Sequence, residues 1–131
     1  MTIRILLVDD NTEFLAAVRQ FLVKLPMVEV VGEAHDGRAA LDQTLALQPD
    51  LVLLDIVMPE LNGLNVARAM QAWPKPPYIV FLSLNDGTAY RAAAHSMGAA
   101  AFVSKANFVT GLLPIIDALA AAKESLPENP L

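Results

Sequence analysis

Short apolar runs alternate with longer amphipathic stretches along this chain. Brief, predominantly apolar runs bounded by polar or turn residues are typical of strands buried on both faces of a sheet. The runs with this character are residues 3–8, 28–31, 51–55, 78–83 and 101–104. We therefore predict five buried strands.

The stretches between the strands show helical spacing of their apolar residues. The first is the clearest, with Phe14, Val18 and Leu22 on one face and with Asn11 or Thr12 available as its N-cap. Strict alternation of strands and helices predicts a parallel sheet with helices on both faces. The predicted helices lie near residues 12–25, 37–48, 63–72, 87–97 and 107–123.

Pro114 conflicts with the last helical pattern, because a proline inside a helix costs about 3 kcal/mol. Either the regular helix begins late, with Pro114 in its first turn, or the helix is kinked. We assign residues 1–124 to one domain. Residues 125–131, which contain two prolines, are expected to be a flexible C-terminal tail or the start of a linker.

Composition narrows the classes of function. The chain has 131 residues, 55% of them hydrophobic, a net charge of −5 and no cysteine. Its basic residues are scattered, so we do not expect this chain to bind nucleic acid directly. No uninterrupted apolar stretch approaches the roughly 20 residues of a membrane span, and no secretory signal is visible. We therefore expect a cytoplasmic protein without a membrane partner.

Polar residues follow four of the five predicted strands. The carboxyl ends of parallel strands meet at one edge of the sheet, where ligands of open α/β folds bind. Carboxylates concentrated there suit Mg²⁺, which takes oxygen ligands and a substrate phosphate. The polar residues at these strand ends are Asp9, Asp10, Asp55, Ser83 and Lys105.

Each of these residues has an ordinary explanation when it is considered alone. Asp9 and Asp10 are also typical of the acidic start of a helix, and Asp55 of a turn. A lone Lys105 would be a surface lysine. The joint spacing of all five residues is what favours a metal-dependent phosphate site.

In its motifs the sequence resembles the receiver domain of two-component response regulators. The resemblance runs from residue 3 to about residue 123 and implies a doubly wound, flavodoxin-like α/β fold. It implies a five-stranded parallel sheet of order 2-1-3-4-5 with five helices on both faces. The matching segments are ILLVDDN at 5–11, LVLLD at 51–55, Met58-Pro59, Asn62-Gly63, Ser83 and FVSK at 102–105.

The resemblance also implies a role for each matching residue. Asp55 would accept a phosphoryl group, and Ser83 and Lys105 would contact its oxygens. Ser83 and Phe102 would form the switch that responds to phosphorylation. The implied Mg²⁺ ligands are Asp10, Asp55, the main-chain carbonyl of Val57 and, through water, Asp9.

The function that follows is a phosphorylation-activated signalling switch rather than an enzyme beyond its own phosphoryl acceptance and hydrolysis. A histidine kinase or phosphotransfer protein would be the donor, and phosphorylation would change protein contacts, with a homodimer as one possibility. We expect the receiver half of a DNA-binding response regulator. The alternatives are a stand-alone regulator or phosphorelay carrier and, more remotely, a Mg²⁺-dependent phosphatase.

Two of the departures from the family pattern bear on the chemistry at Asp55. Val57 lies two residues after Asp55, and its apolar side chain cannot orient an attacking water, so we predict a long-lived phosphorylated form. The same position weakens the phosphatase hypothesis, because phosphatases of that kind usually carry a second acid there. Leu84 follows Ser83 where a small residue is usual, which predicts narrower access to Asp55.

Overall fold

The five apolar runs form one parallel sheet in the order β2-β1-β3-β4-β5. The structure, a computed structural model, describes residues 2–58, 61–84, 96 and 101–125. The predicted strand number, direction and order are confirmed. The strands are β1 (Ile3–Val8), β2 (Val28–Ala34), β3 (Leu51–Asp55), β4 (Tyr78–Ser83) and β5 (Ala101–Ser104).

Four helices lie within the described residues, and a short 3₁₀ turn at Lys105–Asn107 joins β5 to the last of them. The predicted helix near 87–97 falls outside the described residues, apart from Ser96. The helices are α1 (Thr12–Leu22), α2 (Gly37–Leu47), α3 (Gly63–Gln71) and α4 (Phe108–Ser125).

Helices cover both faces of the sheet because alternate strand residues point in opposite directions. On one face, Leu6 and Leu54 pack in a core that includes Met70 of α3 and Ala40 of α2. On the other face, Ile5 and Leu7 of β1 and Leu53 of β3 pack against buried residues of α1 and α4: Leu15, Val18, Leu22, Leu112 and Ile116. Because β1 and β3 are buried on both faces, polar residues that follow these strands are accommodated at the carboxyl edge of the sheet.

Two boundaries differ from the sequence prediction. α1 ends at Leu22 rather than near residue 25, since Leu25 precedes Pro26 and a residue before proline disfavours helical geometry. β2 continues past Val31 to Ala34. It is an edge strand, where polar residues are tolerated, and Glu33 receives a hydrogen bond at its carbonyl from Gln43 Nε2 at 2.8 Å.

Pro114 lies inside α4, whose first residue is Phe108, so the expectation of a late helix start is wrong. Proline has no N–H to donate to the carbonyl of Thr110, one turn earlier. Pro114 itself is exposed, and the helix is held on the sheet by buried Leu112 and Ile116 on its other side. Tertiary packing of an apolar face therefore overrides the local cost of the proline.

The segment Lys105–Lys123 is long and apolar enough to cross a membrane by length and composition, with a mean hydropathy of 1.3. The sequence criterion of an uninterrupted apolar run does not detect it, because Asp117 and other polar residues break the run. Helices packed on a sheet meet the same criterion, so this one segment is weak evidence for a membrane. Most of the segment is nevertheless not buried in the described structure.

Candidate functional site

The strand register brings the predicted site residues to one edge of the sheet. Val8 is opposite Leu54, so the residues that follow them, Asp9 and Asp55, leave the sheet side by side. On the next pair, Asp55 is opposite Leu82, and the chain continues to Ser83. The predicted gathering of these carboxylates at the carboxyl edge is therefore observed.

Asp9 is held by the backbone at the start of α1. Its Oδ1 accepts a hydrogen bond from the backbone N–H of Asn11 at 2.9 Å. Asn11 in turn is the N-cap of α1, with its side chain accepting from Phe14 N at 3.0 Å. One of the two caps considered from the sequence is therefore observed, and it fixes a carboxylate that is fully buried.

Asp55 is positioned by a close approach between two backbone segments. The N–H of Gly63, at the start of α3, donates to the carbonyl of Ile56 at 2.7 Å. A Cβ atom at Gly63 would overlap the carbonyl oxygen of Asp55 and lie 2.9 Å from the Cα of Ile56. Position 63 therefore requires glycine for steric reasons, because only a residue without a Cβ atom allows α3 to start against the loop that carries Asp55.

Lys105 supplies the positive charge of the site. Its Nζ lies 2.6 Å from Asp9 Oδ2 and 3.4 Å from Asp55 Oδ1, and all three side chains are nearly inaccessible to solvent. The short contact with Asp9 lacks hydrogen-bond geometry. Among the described residues, Asp9 Oδ2 is accordingly the buried side-chain atom left without a hydrogen-bond partner.

The environment of Asp55 makes its carboxyl group harder to ionise. Burial, and after it the nearby charge of Asp9, raise the pKa of Asp55 from 3.8 to about 6 in the folded protein. Lys105 and the backbone N–H of Val57, 3.4 Å from Oδ1, oppose this rise in the pKa by stabilising the carboxylate. A proton and a cation would therefore compete for the Asp55 carboxylate.

The residues present fit a divalent cation with a preference for oxygen ligands. Carboxylate oxygens of Asp9, Asp10 and Asp55 lie within 4.8 Å of one another, with Asp10 exposed and the other two buried. Lys105 neutralises one of these three charges, which leaves a local negative excess when all are ionised. Oδ2 of Asp9 is paired with the charge of Lys105 but accepts no hydrogen bond among the described residues, so it remains able to accept one from a water on a bound cation.

The other predicted residues lie around this centre. Ser83 is buried at the end of β4, one strand from Asp55. Phe102 lies on β5 opposite Phe81 and packs, partly buried, against the core. Their predicted roles in switching stay predictions, as does narrower access because of Leu84, whose side chain is 81% exposed.

One residue of the site was not predicted from the sequence. The ring of Phe14, on α1, lies under Lys105 with Nζ 4.8 Å from its centroid. The sequence places Phe14 only on the apolar face of a helix. No local signal distinguishes a phenylalanine that packs on hydrocarbon from one that packs on an ammonium group.

Comparison with known proteins agrees with this geometry. The sequence profile described as "Response regulator receiver domain" matches residues 5–116 of the chain. Among solved structures, the signal receiver domain of the putative response regulator NarL from Mycobacterium tuberculosis is similar. It has 34% sequence identity and a TM-score of 0.82, and the alignment covers 95% of this chain and 98% of that one.

Two further similar proteins carry different descriptions. The response regulator domain of Thermotoga maritima CheB aligns at 27% identity and a TM-score of 0.83, covering 90% of this chain and 96% of that one. A protein-glutamate methylesterase/protein-glutamine glutaminase of Geobacillus kaustophilus is 40% identical over 105 residues, covering 79% of this chain and 30% of the relative. The chain spans less than a third of the length of such curated relatives.

Proposed function

The chain belongs to the response regulator receiver domain family, and we propose that it is a phosphorylation-controlled switch in which Asp55 accepts the phosphoryl group. One observation carries this proposal most directly. Asp55 is the carboxylate at the end of β3 that shares both a buried lysine and a cluster of acids with other strand ends. A structural turn residue would need neither.

The proposed donor is a phosphohistidine on a histidine kinase or phosphotransfer protein. Attack by a carboxylate on a phosphoryl group brings negative charges together, so catalysis consists mainly of positioning and charge neutralisation. With a pKa of about 6, Asp55 is mostly ionised at neutral pH and needs no separate general base. Lys105 already lies 3.4 Å from its Oδ1 and can pair with an incoming phosphoryl oxygen.

Mg²⁺ is the cofactor that we propose for this site. Asp10, Asp55 and the main-chain carbonyl of Val57 would hold it, with Asp9 acting through water. When bound, the ion supplies positive charge to the phosphoryl oxygens in the transition state. The chain's own contribution is to keep the three carboxylates together despite their repulsion, through Lys105 and the Asn11 N–H that binds Asp9.

Phosphorylation of Asp55 would then redistribute contacts inside the site. The acyl phosphate adds charge and three strong acceptor oxygens beside Ser83 and Lys105. New contacts from Ser83 and Lys105 to the phosphoryl oxygens would stabilise the conformation of the strand ends in which these contacts form, relative to the conformation of the unphosphorylated site. Phe102, on the β5 strand that leads directly to Lys105, is the residue that we propose to respond.

Altered protein contacts would be the output of the switch, and one partner would be a second copy of the chain. α4 is apolar and mostly unburied, with Val109 39% exposed. Association through such a helix would remove this apolar surface from water. Light scattering with and without a phosphoryl mimic tests this, and an unchanged molar mass would exclude the homodimer.

The class of output domain is a separate part of the proposal. Curated relatives 40% and 38% identical to this chain are protein-glutamate methylesterases/protein-glutamine glutaminases. We therefore propose control of a methylesterase-type catalytic domain as the first output to test. The DNA-binding output expected from the sequence gains no support from these relatives and stays a prediction, as does action as a separate protein. Reading the gene beyond Leu131 distinguishes the three.

Mass spectrometry after incubation with acetyl phosphate and Mg²⁺ tests the central claim. We expect one phosphoryl group per chain, located on Asp55 and absent from Asp55→Asn. Asp50→Asn is the matched control, since Asp50 lies at the opposite end of β3 and pairs with Lys123 at 2.9 Å. Labelling of Asp50→Asn should equal that of the wild type. Label on any other residue would contradict the proposal.

The same experiment separates a switch from an enzyme. A switch accumulates close to one phosphoryl group per chain and releases phosphate slowly. Sustained release of phosphate from several phosphoesters, in excess of the protein concentration, would support the phosphatase alternative instead. The exposed, apolar Val57 beside Asp55 favours the switch, because it offers no second acid.

A further inference from the structure

We propose that Phe14 is a positioning residue for Lys105, holding its ammonium group beside Asp55 through the face of its ring. This inference rests on the proposed function and extends it to a residue on α1. The ring centroid is 4.8 Å from Nζ of Lys105, within the range of about 6 Å over which a cation is attracted to an aromatic face. The Lys105 side chain is only 6% exposed, so water competes little with the ring.

Phe14 is itself held in place by other aromatic rings. Its ring meets Phe108 edge to face, with centroids 5.5 Å apart and an interplanar angle of 79°. Phe108 meets Phe21 in the same manner at 5.9 Å and 74°. Phe108 lies three residues after Lys105, at the start of α4. In this aromatic cluster of Phe14, Phe21 and Phe108, Phe108 therefore supports the ring of Phe14 directly, whereas Phe21 is one ring farther from the lysine.

A neutral anchor for Lys105 has a specific advantage at a metal site. Asp9 and Asp55 attract the ammonium group through their negative charges. A cation bound by these carboxylates would weaken that attraction, because it neutralises the same charges and repels the lysine. The attraction to Phe14 depends on the ring quadrupole and does not change with the charge of the acids. The ring would therefore keep Lys105 near Asp55 when a cation is bound and a phosphoryl group is transferred to Asp55.

Affinity for beryllofluoride in saturating Mg²⁺ tests the proposal, since this anion imitates a phosphoryl group on a carboxylate and would contact Lys105. We expect Phe14→Leu to weaken its binding by about three- to tenfold. Mg²⁺ affinity, which depends on the acids, should stay within about twofold. Phe14→Tyr keeps an aromatic face and should bind beryllofluoride like the wild type.

Phe21→Leu is the matched control, because it removes a ring from the same aromatic cluster without a described contact to Lys105. Its beryllofluoride affinity should be unchanged at a similar loss of stability. In a Lys105→Met background, Phe14→Leu should have no further effect on affinity. Equal losses in Phe14→Leu and Phe21→Leu, or a loss that persists in Lys105→Met, would show that Phe14 is merely structural.

The result for the wild type distinguishes failure of the proposed function from failure of the proposed role of Phe14. If the wild type neither binds beryllofluoride nor becomes labelled on Asp55, the proposed function fails and the inference about Phe14 fails with it. If the wild type does both and Phe14→Leu matches it, only the role of Phe14 is overturned. A loss confined to Phe14→Leu and reversed in Phe14→Tyr supports both.

Discussion

Lys105 and Asp9 form a buried ion pair that links the end of β5 to the end of β1, with Nζ 2.6 Å from Oδ2. The sequence resemblance assigns Lys105 to a phosphoryl oxygen, yet in the structure its shorter contact is with a predicted metal-site residue rather than with Asp55. The lysine therefore balances part of the negative charge of the acidic cluster. We therefore expect Lys105 to compete with a bound cation for Asp9, in addition to its proposed contact with the phosphoryl group.

Lys105→Met should separate these two effects. Without Mg²⁺, we expect the free energy of unfolding at pH 7.5 to fall by about 3 kcal/mol, because two buried carboxylates lose their partner. Mg²⁺ should bind more tightly than to the wild type and recover much of this loss, while labelling of Asp55 should fall at least about tenfold. Denaturant titrations with and without Mg²⁺ measure the first effect.

Lys75→Met is the control for this experiment, since Lys75 is exposed in the loop before β4, far from Asp55 in the sheet. It should leave stability, Mg²⁺ affinity and labelling unchanged. If the stability deficit of Lys105→Met were the same with and without Mg²⁺, the lysine would not share its carboxylates with the cation.

The raised pKa of Asp55 predicts how stability depends on pH when Mg²⁺ is absent. The pKa of Asp55 rises from 3.8, its ordinary value, to about 6 in the folded protein, so between these values only the folded chain holds the proton. The contribution of Asp55 to stability is therefore fully present below pH 3.8 and is lost as the pH rises through 6.

Asp55→Asn cannot titrate and should lack this contribution to the pH dependence. Denaturant unfolding of both proteins from pH 4 to pH 7.5 should show the variant becoming progressively more stable than the wild type as the pH rises. Mg²⁺ affinity of the wild type should fall below pH 6, since the proton competes for Asp55. Parallel stability curves for the two proteins would contradict the raised pKa.

Val57 should control the lifetime of the phosphorylated form. Its side chain is 60% exposed beside Asp55 and offers no group that can orient a water. Val57→Asn adds an amide that can do so, and we expect the rate of phosphate loss to rise several-fold. Val57→Ala, which removes apolar bulk without adding a polar group, is the control, and phosphate release is followed after removal of the donor. An unchanged rate in Val57→Asn would refute the idea.

Gly63 should be required for both stability and metal binding. Alanine at this position would place a Cβ atom against the carbonyl of Asp55, and relief of the overlap must move the loop that carries the phosphoacceptor candidate. We expect Gly63→Ala to lower the free energy of unfolding by about 1–3 kcal/mol and to weaken Mg²⁺ binding.

Asn62→Ala provides the comparison for Gly63, because it removes the N-cap hydrogen bond to Asn65 N at 3.0 Å without crowding Asp55. Loss of a cap costs about 1 kcal/mol and should leave Mg²⁺ affinity nearly unchanged. Calorimetric Mg²⁺ titrations of the two variants distinguish a displaced loop from a weakened helix. Equal effects on Mg²⁺ affinity would argue against a special role for the glycine.

The amino-acid sequence by itself determines which segments of the described residues form strands and helices, and how these alternate along the chain. It also determines the set of polar residues at the strand ends. Apolar periodicity reports which face of each element is buried, and a parallel sheet necessarily brings its carboxyl ends to one edge. Asp9, Asp55 and Lys105 were for this reason predictable as neighbours. The strand order itself came from resemblance to a family, because periodicity does not specify which strands pair.

Only the tertiary structure decides the contacts that set the chemistry. The preference of Lys105 for Asp9, the ring of Phe14 beneath it and the raised pKa of Asp55 depend on distances between side chains far apart in the chain. The same holds for the steric need for Gly63. Local patterns report burial and direction, whereas a charge responds to every group within a few ångströms, and packing alone brings those groups together.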